Sequence, residues 1–236
     1  LLLFTSPDDS DTSPYADMID GQHVDGFVLS YTVKNDVRFK FLHEAGVPFV
    51  AFGRSLSPMD NLVHWVDVDG RSGLYDATTH LIQQGHERIA MIAWDEASAS
   101  GQEREEGYLG ALVQHGIQPR PEFINRKLNG VENGYLGASQ LMQLPNPPTA
   151  IVCVSDMIGA GVLRWNATHN HKLAVVGFDD HPIAQFTHPS LSSVRQPVEK
   201  VAIRIAQMLA KQLDSDDDSV TCDLLPPDLV VRESSV

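Results

Sequence analysis

The chain has 236 residues, 42% of them hydrophobic, enough to bury a sizeable core in one large or two small lobes. Acids outnumber Lys plus Arg by 31 to 17, giving a net charge of -14, and a surface that negative repels phosphate backbones, so these residues alone should not bind nucleic acid. No apolar run approaches the roughly 20 residues that cross a bilayer, and no membrane partner is expected.

The start, LLLFTSPDDS, lacks a basic region and a cleavage site and does not look like a signal peptide. Cys153 and Cys222 lie far apart in apolar contexts and are expected to be reduced core residues of a cytoplasmic protein.

In chain order, Leu1–Phe4 reads as a strand already in progress and Thr5–Thr12 as a polar loop or helix start. Asp11–Asp20 is a short helix, and Val24–Ser30 a strand whose nearly continuous apolar side chains suit a sheet covered on both faces. A helix over Phe39–Ala45 stops at Gly46, and strands follow at Val47–Phe52 and Val63–Val68. Leu74, Ala77, Leu81 and Ile82 have helical spacing within Gly73–Gln84, and Gly85 ends that helix. Arg88–Trp94 is a strand, and Glu103–His115 and Asn133–Leu144 are helices, the second stopped by Pro145, Pro147 and Pro148. Thr149–Val154 is a strand and Asp156–Thr168 a helix. Leu173–Phe178 is a strand ending at Asp179 and Asp180, with a second extended run over Ser190–Gln196. Pro197–Leu213 has the clearest helical face, Val198, Val201, Ala202, Ile205, Met208 and Leu209. Asp214–Ser219 is an acidic turn, and strands at Val220–Leu225 and Asp228–Arg232 close the chain. The alternation predicts an α/β protein with parallel sheets, and about eight strands suggest two sheets rather than one.

No catalytic signature is present: no Gly-x-Ser-x-Gly, no Walker loop, no Gly-x-Gly-x-x-Gly after a strand and no His-Glu-x-x-His. His169 and His171 are too isolated for a metal site, and no cofactor is implied. What remains is polar and aromatic residues at strand ends: Ser30 and Tyr31, Phe52 with Arg54, Asp69, Trp94, Ser155 with Asp156, and Asp179 with Asp180, joined by Arg104 at a helix start. Carboxylates accept hydrogen bonds from paired hydroxyls, Arg donates to ring oxygens and Trp stacks on a pyranose, so the set suits a polyhydroxylated ligand. Each residue also has a plain structural reading. Asp179 and Asp180 could cap the next helix, Trp94 could fill the core, and Arg104 could pair with Glu103, Glu105 or Glu106.

Together these motifs resemble the effector-binding core of the LacI-type family of bacterial transcription regulators, the lac and galactose repressors. The resemblance rests on VDGFVLS (24–30), GVPFVAFGR (46–54), HLIQQGHERIA (80–90), Arg104-x-x-Gly107-Tyr108-x-x-Ala111-Leu112, PTAI through Ser155-Asp156, VVGFDD through LSSVRQP, and LVVRES (229–234). It implies a transcriptional regulator and not an enzyme. Two lobes of periplasmic-binding-protein type, each a doubly wound parallel sheet, would clamp a mono- or disaccharide, with closure altering operator binding. The chain would cross between lobes near Trp94–Glu96, Ser193–Gln196 and Cys222–Leu224. One lobe would then hold 1–94 plus 197–222, the other 95–196 plus 223–236.

By the same resemblance Asp179 and Arg104 would bind the effector, with Asp156, Ser155, Trp94, Tyr31 and Asp69 beside them. Ser155 stands where the family usually has Asn, and Trp94 replaces a common Gly. Asp180 is read as support, capping the His181–Phe186 turn. A homodimer is implied, with the apolar residues of Val37–Leu42 as candidate surface. Operator DNA would be reached only through a helix-turn-helix headpiece not in this chain, and the first strand and helix of the amino-terminal lobe are not found. A periplasmic-type sugar receptor of a transporter is the alternative; the absent signal peptide and the GHERIA segment argue against it.

Overall fold

The computed structural model describes residues 2–5, 10–214 and 219–236. In chain order its elements are α1 (Ser13–Asp20), β1 (Phe27–Leu29), α2 (Val37–Glu44), β2 (Phe49–Phe52), β3 (His64–Val68), α3 (Gly70–Gln83), β4 (Ile89–Ala93), α4 (Ala99–Gln114), β5 (Ile124–Arg126), α5 (Val131–Leu141), β6 (Ala150–Cys153), α6 (Asp156–His169), β7 (Ala174–Asp179), α7 (Ile183–Phe186), β8 (Ser192–Arg195), α8 (Val198–Asp214), β9 (Cys222–Leu225) and β10 (Asp228–Val230). They form two units, Leu1–Val68 with Ala97–Ala99 and Pro197–Leu225, and Asp69–Glu96 with Ser100–Gln196 and Pro226–Val236.

The first unit is built on a parallel sheet ordered β1-β2-β3-β9. Strand side chains alternate between faces, and β2 uses both: Phe49 and Ala51 join Tyr15, Phe27, Phe39 and Leu42 in one core, while Val50 joins Val66, Val201, Ile205 and Met208 in another. Val201, Ile205, Met208 and Leu209 of the α8 face thus meet the sheet as their spacing predicted, while Val198 and Ala202 remain exposed. In α2, Phe39 and Leu42 are fully buried and only Val37 among the expected apolar surface residues is exposed, so that helix offers little apolar surface.

The second unit is a six-stranded sheet ordered β10-β8-β7-β6-β4-β5, parallel except for β10, which runs antiparallel to β8. Strands β4, β6 and β7 carry unbroken apolar runs because both faces are covered. Side-chain oxygens start the helices that the sequence located: Asp36 accepts from the Arg38 N–H, Asp69 from Ser72 and Ser155 from Ile158.

Several expectations need correction. The first change of unit falls at Val68–Asp69, not near Trp94, so residues 69–94 belong with the second unit. The cause is pairing and packing. Strand β4 hydrogen-bonds to β6 and β5, and Leu74, Ala77 and Leu81 of α3 are buried in the second core. The other changes fall at Gln196–Pro197 and Leu225–Pro226, and 97–99 briefly rejoin the first unit.

Residues 2–5 form no strand; Phe4 packs edge-on against Tyr15 at 5.0 Å, while Leu2 and Leu3 are exposed. Leu1, most of the Thr5–Thr12 segment's acidic part at 6–9, and the centre of the expected acidic turn, 215–218, lie outside the described residues. Strand β5 had no sequence signal, being short and only partly buried. Cys153 is a buried free thiol, but Cys222 is exposed, because β9 has only β3 beside it.

The Arg-x-x-Gly spacing in α4 has a packing cause. A Cβ at Gly107 would lie 2.1 Å from the backbone oxygen of Arg71, so only glycine lets α4 approach α3 at this crossing. The backbone cannot yield as a side chain would. Gly107→Ala should therefore destabilise the fold by about 1–3 kcal/mol, seen as a lower urea midpoint; an unchanged midpoint would contradict this packing.

Candidate functional site

Strand β7 lies inside the second sheet, between β6 and β8, and ends in an unusual turn. Asp179 has φ +112° and Asp180 φ +50°, two successive L-residues in backbone regions that favour glycine. Each such residue costs roughly 1–3 kcal/mol, and it persists only where its surroundings hold it. Here the surroundings are explicit. Asp180 receives Arg195 Nε on Oδ2 and Arg232 Nη2 on Oδ1, both at 2.6 Å. Its backbone N–H donates to Ser193 Oγ at 3.0 Å. Asp179 Oδ1 accepts from Gln196 Nε2 at 2.6 Å.

Asp180 therefore does not cap the following turn, contrary to the expectation from sequence. Its side chain is almost fully buried between two guanidiniums. The His181 N–H is instead taken by Asp156 Oδ2 at 2.7 Å.

Arg104 reaches this turn from α4. Its guanidinium carbon lies 3.6 Å from the Phe178 ring centre and 4.9 Å from that of Trp94. Nη1 donates to the Val154 carbonyl, and Nη2 is 4.0 Å from Asp179 Oδ1. Two of the neighbouring acids pair with other cations, Glu105 with Arg126 and Glu106 with Arg71. Arg104 itself is directed inward, where a desolvated cation over aromatic faces gains up to about 2 kcal/mol. The stem of Arg104 lies over Gly70, where a Cβ would come within 3.0 Å of its Cγ. Trp94 is half-buried at the end of β4, and its indole Nε1 makes no hydrogen bond among the described residues.

The structure thus brings Arg104, Trp94 and Asp179 together, and adds Phe178 and Gln196, which the sequence did not single out. Phe178 looked like core, and Gln196 like the polar end of an extended run. The other expected site residues have different work. Asp156 is fully buried and both carboxylate oxygens are taken, Oδ1 by Ser193 Oγ at 2.6 Å and Oδ2 by the His181 N–H. Ser155 is also fully buried; its Oγ caps α6 and donates to Asn129 Oδ1 at 2.6 Å. Asp69 caps α3.

Tyr31 belongs to the first unit, where it is 92% exposed with φ +55°. It is displayed by a buried brace: Arg38, ion-paired to Asp36 at 2.6 Å, donates to the carbonyls of Ser30 and Tyr31.

Electrostatics separates the acids. Burial pushes Asp179 up, and nearby Arg104 and the Gln196 hydrogen bond pull it back. Burial pushes Asp156 further, to about 7, against the hydrogen bonds from Ser193 and His181. One contact has the look of a nucleophile and its base, His80 Nε2 at 2.9 Å from Ser235 Oγ. Ser235 is 1% exposed and also bonded to Ser192 Oγ, so the pair anchors the segment after β10 rather than meeting a substrate.

The family model described as a periplasmic binding protein-like domain matches residues 78–235. The chain is 33% identical over 218 residues to the HTH-type transcriptional regulator CelR of Thermobifida fusca, covering 91% of this chain and 64% of that protein. To the HTH-type transcriptional regulator RafR of Escherichia coli it is 30% identical over 210 residues, 86% of this chain and 61% of that one. It therefore spans less than two thirds of these relatives' length. Among solved structures, a LacI-family regulatory protein from Chloroflexus aggregans superimposes with a TM-score of 0.90 at 36% identity, covering 98% of this chain and 84% of that chain. A CelR–cellobiose complex superimposes with a TM-score of 0.88 at 32% identity, covering 94% and 69%.

Two outcomes follow from the acids' surroundings. Asp180→Ala leaves Arg232 without its buried partner and should cost about 3 kcal/mol in urea unfolding. Arg195→Ala, whose guanidinium is half exposed, should cost under about 1 kcal/mol. Equal losses would contradict the assigned geometry. For Asp156, the folded carboxyl titrates near 7 against 3.8 as its ordinary value, so the folded state holds the extra proton between them. Stability contributed by this group is therefore lost as pH rises from about 4 through about 7. Asp156→Asn should remove that part of the pH dependence in thermal unfolding; parallel profiles for the two proteins would refute it.

Proposed function

The chain belongs to the LacI family of transcriptional regulators, with the family's periplasmic-binding-protein-like core, and on that premise we propose that it is the effector-sensing core of a carbohydrate-responsive regulator. The observation that carries the reading is the grouping of Arg104, Asp179 and Trp94. A fixed guanidinium donor, a carboxylate acceptor 4.0 Å from it and an aromatic face within 4.9 Å of the same cation make a compact set for a hydroxylated ring. The Trp94 indole N–H, buried and without a hydrogen-bond partner among the described residues, belongs to the same group. Because a structural relative was solved as a complex with cellobiose, that disaccharide is the first ligand to try.

Control of transcription then works by population shift. An effector that binds one conformational state of the regulator more tightly changes its operator affinity by that difference, and an equal affinity for both states would change nothing. Operator contact falls to a helix-turn-helix segment of the kind that gives the relatives their names. The net charge of -14 keeps these 236 residues from doing it alone. We extend the reading to a cytoplasmic homodimer, for which sedimentation should return twice the 25.9 kDa of the chain. No helix among the described residues is long and apolar enough to cross a membrane.

Calorimetric titration with cellobiose and a panel of mono- and disaccharides tests the site. The wild type should bind one of them. Asp179→Ala and Arg104→Ala should each weaken it by about 10- to 100-fold, the range for losing a hydrogen bond to a charged group. Wild-type affinity in both variants would show that the ligand sits elsewhere.

A further inference from the structure

Asp156 touches no solvent, yet it is linked to the two amides that follow Asp179, one directly and one through Ser193. Its Oδ2 accepts the His181 N–H directly, and its Oδ1 accepts Ser193 Oγ–H while that same Oγ accepts the Asp180 N–H. The sequence keeps space for this contact. A Cβ at Gly177 would lie 2.2 Å from Asp156 Oδ1, so glycine in β7 is what allows the carboxylate to reach the turn. The two amides held in this way belong to residues 180 and 181, directly after the φ +112° residue.

We propose that Asp156 is a positioning residue that, as a carboxylate, holds the 179–181 turn in the conformation presenting Asp179 and releases it on protonation. The proposal rests on Asp179 being the ligand contact, and it concerns how that contact is held.

The charged surroundings give the direction. Around Asp156 lie the charges of Asp179 and Asp180 at the end of β7, the His181 N–H after them, Ser193 of β8 and the Cys153 thiol of β6. Arg195 and Arg232 are both bound to Asp180, and Arg104 lies beside Asp179. Among the described residues no cation pairs with Asp156, so its two partners are a hydroxyl and a peptide N–H, both neutral. Burial pushes the carboxyl up to about 7, and the two hydrogen bonds work against that rise. Hydrogen bonds that favour the charged form are, by reciprocity, strengthened by it. Ionisation therefore tightens the turn.

Amide hydrogen exchange in the full 236-residue chain between pH 5.5 and 8.5, expressed as protection factors, reads the brace without any ligand. In the wild type, protection at Asp180 and His181 should rise about five- to tenfold as pH passes through about 7. In Asp156→Asn the step near 7 should be absent, because the amide oxygen can still accept from His181 but the side chain at position 156 no longer titrates. In Asp156→Ala both amides should lose protection at every pH while Val176 in β7 keeps its own. Should the alanine variant fail to fold, the asparagine profile carries the comparison. Calorimetry with cellobiose, the probe in both proteins, should show wild-type affinity following the same pH midpoint and Asp156→Asn without that step. Protection that does not vary with pH in the wild type, or that survives Asp156→Ala, overturns the proposal. Amides that respond in a protein that binds no sugar would uphold the brace and overturn the effector reading.

Discussion

A carboxylate buried at the end of an interior strand must be held by donors that do not leave it stranded, and the second unit is arranged to meet that condition at β7. Three acids, Asp156, Asp179 and Asp180, gather at this one strand end. Each has a different solution. Asp180 is neutralised by Arg195 and Arg232, Asp179 has a cation nearby and one neutral hydrogen bond, and Asp156 has neutral donors alone. The ranking follows the electrostatic cost of burial. Two guanidiniums offset the buried charge of Asp180, whereas Asp156, with only a hydroxyl and an N–H, is driven toward protonation by burial. Of the three, Asp179 keeps unused acceptor capacity and partial exposure, which is what a ligand contact requires.

The left-handed conformations at 179 and 180 belong to the same constraint. In an ordinary strand end the side chain of residue 179 would simply continue the alternation of β7. The turn instead redirects the chain so that Asp179 stays near Arg104 while Asp180 drops between two arginines. Arg195 ends β8, one residue before Gln196, and Arg232 follows β10. The ion pairs thus bind the turn to segments adjoining two of the places where the chain changes unit. Strain at a site is maintained by such over-determination, and its loss is expected to be felt first at the turn itself.

Most of the fold was legible because periodicity and helix stops are local. The apolar runs of β4, β6 and β7 and the spacing in α3 and α8 stand in the sequence as they stand in the structure, whereas Asp69 and Ser155, expected at the ligand, cap α3 and α6. The place where the first unit ends was not legible. Nothing local distinguishes a strand that joins one parallel sheet from a strand that joins another, and only the pairing of β4 with β6 assigns residues 69–94. The expected strand at Leu1–Phe4 misled for a similar reason, since Phe4 packs on the core without joining a ladder and Leu2 and Leu3 are exposed.

The site was half legible. Residue type and motif drew attention to Arg104, Trp94 and Asp179, and these do converge. Type alone could not separate Asp179 from Asp180 or Asp156, because three aspartates near strand ends look alike until their partners are known. Phe178 and Gln196 lay within a matched motif but carried no sign of a role at the site: one reads as core, the other as the polar end of an extended run. A crystal structure of the protein soaked with cellobiose would examine the site most directly. Ligand hydroxyls should lie within about 3.2 Å of Asp179 and Arg104, with Trp94 against the sugar ring and Asp156 still covered. Well-defined sugar density that leaves Asp179 and Arg104 untouched would contradict the assignment of this strand end as the effector site.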